Sequence, residues 1–123
     1  MNLLTGRKVL EEVESSINGK LTVVKDIVWG TYIQADGLTQ TGGIVEQIWK
    51  NVFRNLLNTK HDIYHVLVLG LGGGTIAKLA ILVWPYTKIT GVDVDVKIVN
   101  LGKKYFALDC DWSLVYYGFV FGL

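Results

Sequence analysis

Apolar residues fall largely on odd positions from Val9 to Ile17, the alternation of a strand with one buried face. Asn18-Gly19 follows, a pair that favours the tight turn of a β-hairpin, and Lys20 to Val28 supplies the returning strand. Trp29-Gly30 interrupts the pattern, Thr31 to Ala35 resumes it as a short strand, and Asp36-Gly37 closes it with a second turn signal. The pattern predicts a small antiparallel β-hairpin domain over residues 1–40. From Ile44 the period changes: Ile44, Val45, Ile48, Trp49, Val52, Phe53, Leu56 and Leu57 recur at the spacing of one helical stripe. This predicts an amphipathic helix in a connecting segment, residues 41–60. Glu46 and Lys50 sit four apart on its polar side, the favourable order for an ion pair worth a few tenths of a kcal/mol.

The third segment, residues 61–123, changes period again. Tyr64 to Leu69 is apolar without alternation, which suits a strand buried on both faces of a parallel sheet. Gly70-Leu71-Gly72-Gly73-Gly74 follows, and Thr75 to Trp84 reads as a helix stopped by Pro85. Lys88 to Val94 is a second buried strand, and Val96 to Leu108 a second helix with Gly102 as its weak point. Leu114 to Gly118 fits a third strand. The order strand, glycine loop, helix, strand, helix is a βαβα unit, so the fold class is α/β: a small antiparallel sheet, then the first half of a Rossmann-like doubly wound sheet.

Composition narrows the functions. Half of the 123 residues are hydrophobic and 19% are charged, the balance of a chain that forms a core. A net charge of +1 gives no basic surface for nucleic acid or an anionic membrane. The longest apolar stretch, Val66 to Ala77, is interrupted by glycines and stopped by Lys78, short of the ~20 residues of a membrane span. Glu11, Glu12 and Glu14 follow Arg7 and Lys8 at once, so no signal peptide is expected. A single cysteine, Cys110, suits a reducing, cytoplasmic location and, with no base beside it, is expected to be inert. The last 19 residues, Tyr105 to Leu123, hold seven of the chain's fourteen aromatics and no Lys or Arg. Such a segment favours oligomerisation or aggregation.

The glycine loop carries the candidate chemistry. Between a strand and a helix, glycines let the backbone and the positive helix end approach a ligand that a Cβ would block. Gly70, Gly72 and Gly74 occupy such places; the dinucleotide fingerprint would need glycine where Thr75 stands, so the pattern is nearer to the G-x-G-x-G of S-adenosylmethionine sites than to an NAD site. Asp93 follows at about the 20-residue offset from which an acidic side chain accepts from ribose hydroxyls. Packing offers an alternative for each residue: a tight turn against a helix for the glycines, and a helix cap for Asp93. For Asp95, directly before the helix, capping is the expected role. His61 and His65 have no Cys or acidic cluster to complete a metal shell and read as solvated, and Trp29, Trp49, Trp84 and Trp112 read as core anchors.

Val66-Leu67-Val68-Leu69-Gly70-Leu71-Gly72-Gly73-Gly74, with Gly91-Val92-Asp93-Val94-Asp95 and Lys103-Lys104-Tyr105-Phe106, resembles the spermidine synthase family and its methyltransferase-fold relatives. Ile33 to Gln40 resembles the segment that leaves that family's N-terminal β-domain, and Glu46 matches a glutamate of its long helix. The resemblance implies a transferase that binds S-adenosylmethionine or its decarboxylated form, with Gly70, Gly72 and Gly74 near the ligand, Asp93 on the ribose and Gln40 closing from the β-domain. It also marks departures. The family's loop carboxylate, which holds the donor's amine, is replaced by Gly73, and a tyrosine beside the helix glutamate by Ile44. The family's adenine-contacting and catalytic acidic residues follow the third strand, where Phe119 stands here. The charge-poor tail reads as a truncated or frame-shifted end, no catalytic residue is assigned, and the acceptor substrate stays unidentified. The alternative is a non-catalytic, degenerate binding or dimerisation module of the same fold.

Overall fold

Alternation and turn chemistry build the first sheet. The computed structural model describes residues 6–56 and 62–114. Strands β1 (Arg7–Ser15), β2 (Gly19–Asp26), β3 (Gly30–Ala35) and β4 (Leu38–Gly42) pair antiparallel in chain order, and Leu21, Val23 and Ile33 on the inner face are fully buried. Asp36 and Gly37 both have positive φ, 46° and 84°, as the two-residue turn that matches strand twist requires. That turn does not end the sheet. It leads into β4, paired from Ala35↔Leu38 to Tyr32↔Gly42, which carries the sheet to residue 42. Its polar Thr39 and Gln40 and its exposed Leu38 lack the alternation that would have announced it.

Helix α1 (Gly43–Leu56) buries Phe53 and half-buries Trp49, while Ile44, Ile48 and Val52 along the adjoining flank stay exposed. Glu46 pairs not with Lys50 but with Lys78 on the next helix, at 3.0 Å, a contact across elements that sequence spacing does not reveal.

The second sheet is parallel, with β5 (His65–Leu69), β6 (Lys88–Asp93) and β7 (Asp111–Leu114) in the order β5-β6-β7. Helices α2 (Thr75–Val83) and α3 (Val96–Tyr105) form the crossovers. Val68, Leu79, Ala80, Ile89, Val99 and Leu101 make the core between strands and helices. Contrary to the sequence expectation, β5 is buried on one face only: Val68 is 4% exposed, but Leu67 is 62% and Leu69 76% exposed. α3 stops at Tyr105, before Leu108, where Phe106 ends the helical turn and Ala107 takes a positive φ of 52°. β7 begins at Asp111, earlier than the expected third strand, and residues 115–123 of the tail lie outside the described residues. His65 is exposed and His61 lies outside the described residues. Trp49, Trp84 and Trp112 pack against the core; Trp29, at the β2–β3 turn, is 47% exposed and is not a core anchor.

The architecture is thus a small antiparallel sheet joined by a helix to the first half of a Rossmann-like sheet. Among the described residues, no helix is long and apolar enough to cross a membrane.

Candidate functional site

The glycine loop lies where β5 ends and α2 begins, at the carboxyl ends of the parallel strands, the usual ligand side of an open α/β sheet. Gly70, Gly72 and Gly74 have φ of 82°, 56° and 97°, conformations that an L side chain resists. Their surroundings differ. A Cβ on Gly70 would meet open space, whereas one on Gly74 would stand 2.5 Å from Leu108 Cδ1. Gly74 therefore serves packing as well as the turn.

The backbone donors of this loop are all engaged. Gly70 N and Leu71 N both donate to Val92 O, at 2.8 and 3.0 Å, and Gly74 N donates to Leu71 O at 3.1 Å. Gly72 N donates to Asp93 Oδ2 at 2.7 Å and Gly73 N to Thr41 Oγ1 at 3.0 Å. Thr75 Oγ1 in turn accepts from Gly42 N at 3.0 Å. The end of β4 and the glycine loop are thereby stitched together by two buried threonines, 1% and 9% exposed.

Asp93, at the end of β6 and 9% exposed, joins two backbones. Its Oδ2 holds Gly72 N, and its Oδ1 accepts from Asp95 N at 2.9 Å. Asp95 caps α3, as expected, by accepting from Lys97 N at 3.0 Å. Its other oxygen takes Ser15 Oγ at 2.5 Å and Asn18 Nδ2 at 2.6 Å. The β1–β2 turn is therefore anchored on the start of α3. Lys97 Nζ to Glu14 O at 2.7 Å and Lys104 Nζ to Glu11 Oε1 at 3.0 Å extend that seam. The hydrogen bond from Lys104 lowers the Glu11 pKa, and its reciprocal raises that of Lys104.

These elements enclose a cavity of about 360 Å³, within the range of small-ligand sites. Four of the five residues singled out from sequence line it: Gly70, Gly72, Asp93 and Gln40. Gly74 does not; it borders a separate groove with Phe106 and Leu108. Sequence reasoning missed Asn18, Thr41 and Trp49 as cavity residues. Asn18 had registered only as a turn former, Trp49 only as part of an apolar stripe, and nothing local marked Thr41. A larger, open depression of about 710 Å³ lies on the β1–β3 surface, remote from the loop; its charges are mixed, with Lys20 held by Glu12 at 3.2 Å.

Two further features bear on the chemistry. A Cβ on Gly73 would come within 2.5 Å of Thr41 Cγ2 and 3.0 Å of Ile33 Cδ1, so this packing has no room for an acidic side chain there. Burial, with Asp111 and Asp109 adding to it, raises the pKa of half-buried Cys110, which keeps the thiol protonated and weakly nucleophilic.

No protein-family model and no curated protein matches the chain in sequence. Solved structures match in fold. A spermidine synthase crystallised with the transition state analogue AdoDATO aligns over 89% of the chain and 40% of its own length, with TM-score 0.63 and 19% identity. A probable spermidine synthase from Corynebacterium glutamicum aligns over 92% of the chain and 46% of its own, with TM-score 0.66 and 16% identity. Spermidine synthase from Thermotoga maritima aligns over 89% and 40%, with TM-score 0.61 and 21% identity. The chain therefore has the fold of the spermidine synthases and spans less than half the length of these structures.

Proposed function

We propose that this chain is the nucleoside-binding part of a spermidine synthase-like transferase and takes S-adenosyl compounds, S-adenosylmethionine or its decarboxylated form, in the cavity between the glycine loop, Asp93 and Gln40. One observation carries the choice of ligand: all five N–H groups from Gly70 to Gly74 are bonded within the protein. A dinucleotide or nucleoside triphosphate needs such groups free for its phosphates; an adenosyl-sulfonium has no phosphate and needs none. Asp93 fits the same ligand. Each carboxylate oxygen spends one lone pair on a backbone N–H and keeps another for ribose hydroxyls.

In such a protein the sulfonium supplies the reactivity and the chain supplies position. Gly70, where a Cβ would meet open space, lets the ligand approach the backbone, and Gln40 borders the cavity from β4. The missing carboxylate at Gly73 disfavours aminopropyl transfer relative to methyl transfer. The acceptor is unassigned, the expected setting is the cytoplasm, and the chain is proposed to self-associate through the open edge of β5. A second reading, a non-catalytic module of the same fold, draws on Gly73 and Gly74, whose lack of a side chain already has a packing reason.

Calorimetry with S-adenosylhomocysteine, S-adenosylmethionine and NAD separates these readings. An S-adenosyl compound should bind more tightly than NAD. Tighter NAD binding would overturn the ligand assignment, and no S-adenosyl binding would leave the non-catalytic module.

A further inference from the structure

The charges and the aromatic wall of the cavity bear on which form of an S-adenosyl ligand it holds. Among the described residues no Lys or Arg lines it, and Asp93 is the formally charged residue of its lining. Asp95, 3% exposed, adds a second carboxylate directly behind. Nearby cations are engaged elsewhere: Lys78 on Glu46 and Lys97 on the carbonyl of Glu14. The formal side-chain charge at the cavity is therefore negative.

Its two sides differ in kind. Asp93 closes β6, and Leu69 and Gly70 close the neighbouring β5, with Leu69 paired to Val92. Helix α1, packed against α2 and β4, contributes Val45 and Trp49 to the lining. Trp49 is braced in an aromatic row: its ring centroid is 6.5 Å from that of Phe53, which meets Trp84 edge-on at 5.8 Å. A ligand whose ribose rests on Asp93 and whose sulfur extends past β5 meets this indole. The face of an indole attracts a cation, the more so when water is excluded; a neutral sulfur gains nothing comparable.

We propose that Trp49 and the negative charge of the cavity make this site selective for the sulfonium cation over the corresponding neutral thioether. The inference deepens the S-adenosyl reading and rests on it. S-adenosylmethionine and S-adenosylhomocysteine share the adenosine and the amino-acid tail and differ in the methyl group and the charge it gives sulfur; a cationic amine analogue without that methyl separates the two contributions. A site of this kind holds the spent thioether less tightly than the donor, because transfer of the group removes the positive charge at sulfur.

The test is calorimetry of the full chain with both compounds and with an amine analogue that places C–NH3⁺ where the sulfonium stands. The expected result is about ten-fold tighter binding of S-adenosylmethionine than of the thioether, a factor that ~1.4 kcal/mol of cation–π attraction supplies, with the amine analogue on the side of the sulfonium. Trp49→Leu should bring the ratio close to one and Trp49→Phe should keep part of it, with circular dichroism verifying that each variant folds. Equal affinity of wild type for sulfonium and thioether overturns the inference while leaving the S-adenosyl reading intact. So does a ratio unmoved in folded Trp49→Leu, or an amine analogue that binds like the thioether. Absence of binding by all three compounds overturns both.

Discussion

Replacing Asp93 separates its structural role from its ligand role. Its carboxylate is 9% exposed and accepts from Gly72 N at 2.7 Å and Asp95 N at 2.9 Å, so Asp93→Ala strands two donors that water reaches poorly. Each unpaired buried donor costs about 1–3 kcal/mol, which gives a destabilisation of roughly 2–5 kcal/mol, allowing for relaxation of the loop. In a domain of this size ~1 kcal/mol corresponds to about 3–5 °C in Tm, so the variant should melt roughly 6–25 °C lower. Asp93→Asn keeps one acceptor and turns an NH2 group toward the other donor, so its loss should fall between wild type and Ala. Urea and thermal unfolding followed by circular dichroism give these differences, and amide exchange at Gly72 reports the bond directly. Ligand affinity is then measured at a temperature where all three proteins are folded, so that weaker binding is not confused with unfolding. An Asp93→Ala protein within about 0.5 kcal/mol of wild type, a span typical of neutral surface changes, would refute the bridging role and with it the claim that the loop is saturated from within.

Three further outcomes are expected. Gly102→Ala should destabilise the chain despite a gain of up to about 1 kcal/mol in helix propensity, because the new Cβ would stand 2.5–2.8 Å from the backbone of Gly73, and chemical denaturation gives the sign. Lys88 N donating to Tyr64 O and Gly70 N to Val92 O show that even-numbered residues of β5 bond to β6; His65, Leu67 and Leu69 thus present their backbone to an edge that no described strand covers, where the proposed self-association would pair a second copy antiparallel with Leu67 opposite Leu67. Sedimentation should show a closed dimer that Leu67→Lys converts to monomer, and a dimer indifferent to that change would refute the pairing. The lowered pKa of Glu11 gives stability present above the ordinary carboxylate range and lost as pH falls through the lowered value, whereas the raised pKa of Lys104 gives stability lost as pH rises through its own. Lys104 is exposed and Glu11 half-buried at the surface, so Glu11→Gln should flatten the acid limb of a Tm–pH curve only slightly, and a steeper acid limb in the variant would contradict the pairing.

What the sequence discloses depends on whether the deciding partner is local. Helix α1, the β1–β2 hairpin, the Asp36-Gly37 turn and the capping by Asp95 are read from neighbours within a few residues, and the structure holds all of them. β4 escaped because its sheet face is polar, and its existence rests on pairing with β3. The burial of β5 was overestimated because an apolar run records what a strand tolerates, while its exposure is set by what lies against each face.

The glycine loop carries the same lesson into function. Four glycines within five residues state that the backbone must bend closely, but the run alone does not distinguish Gly70, beside which there is room, from Gly74, which Leu108 crowds. Nor does it show whether the loop's donors are free. That depends on Thr41, 32 positions from Gly73, and on Asp93, 21 positions from Gly72. With those acceptors in place the loop is a folded surface with no donor left for a phosphate, and the choice of ligand passes to the walls around it. Gln40 among those walls was legible from the sequence through resemblance alone, whereas Asn18 and Trp49 come to line the cavity only when Asp95 anchors the hairpin turn and α1 packs against α2 and β4. On the proposed reading, selectivity rests on residues brought in from outside the motif, and variation at Trp49 and Asn18 should alter ligand preference while the glycine pattern stays the same.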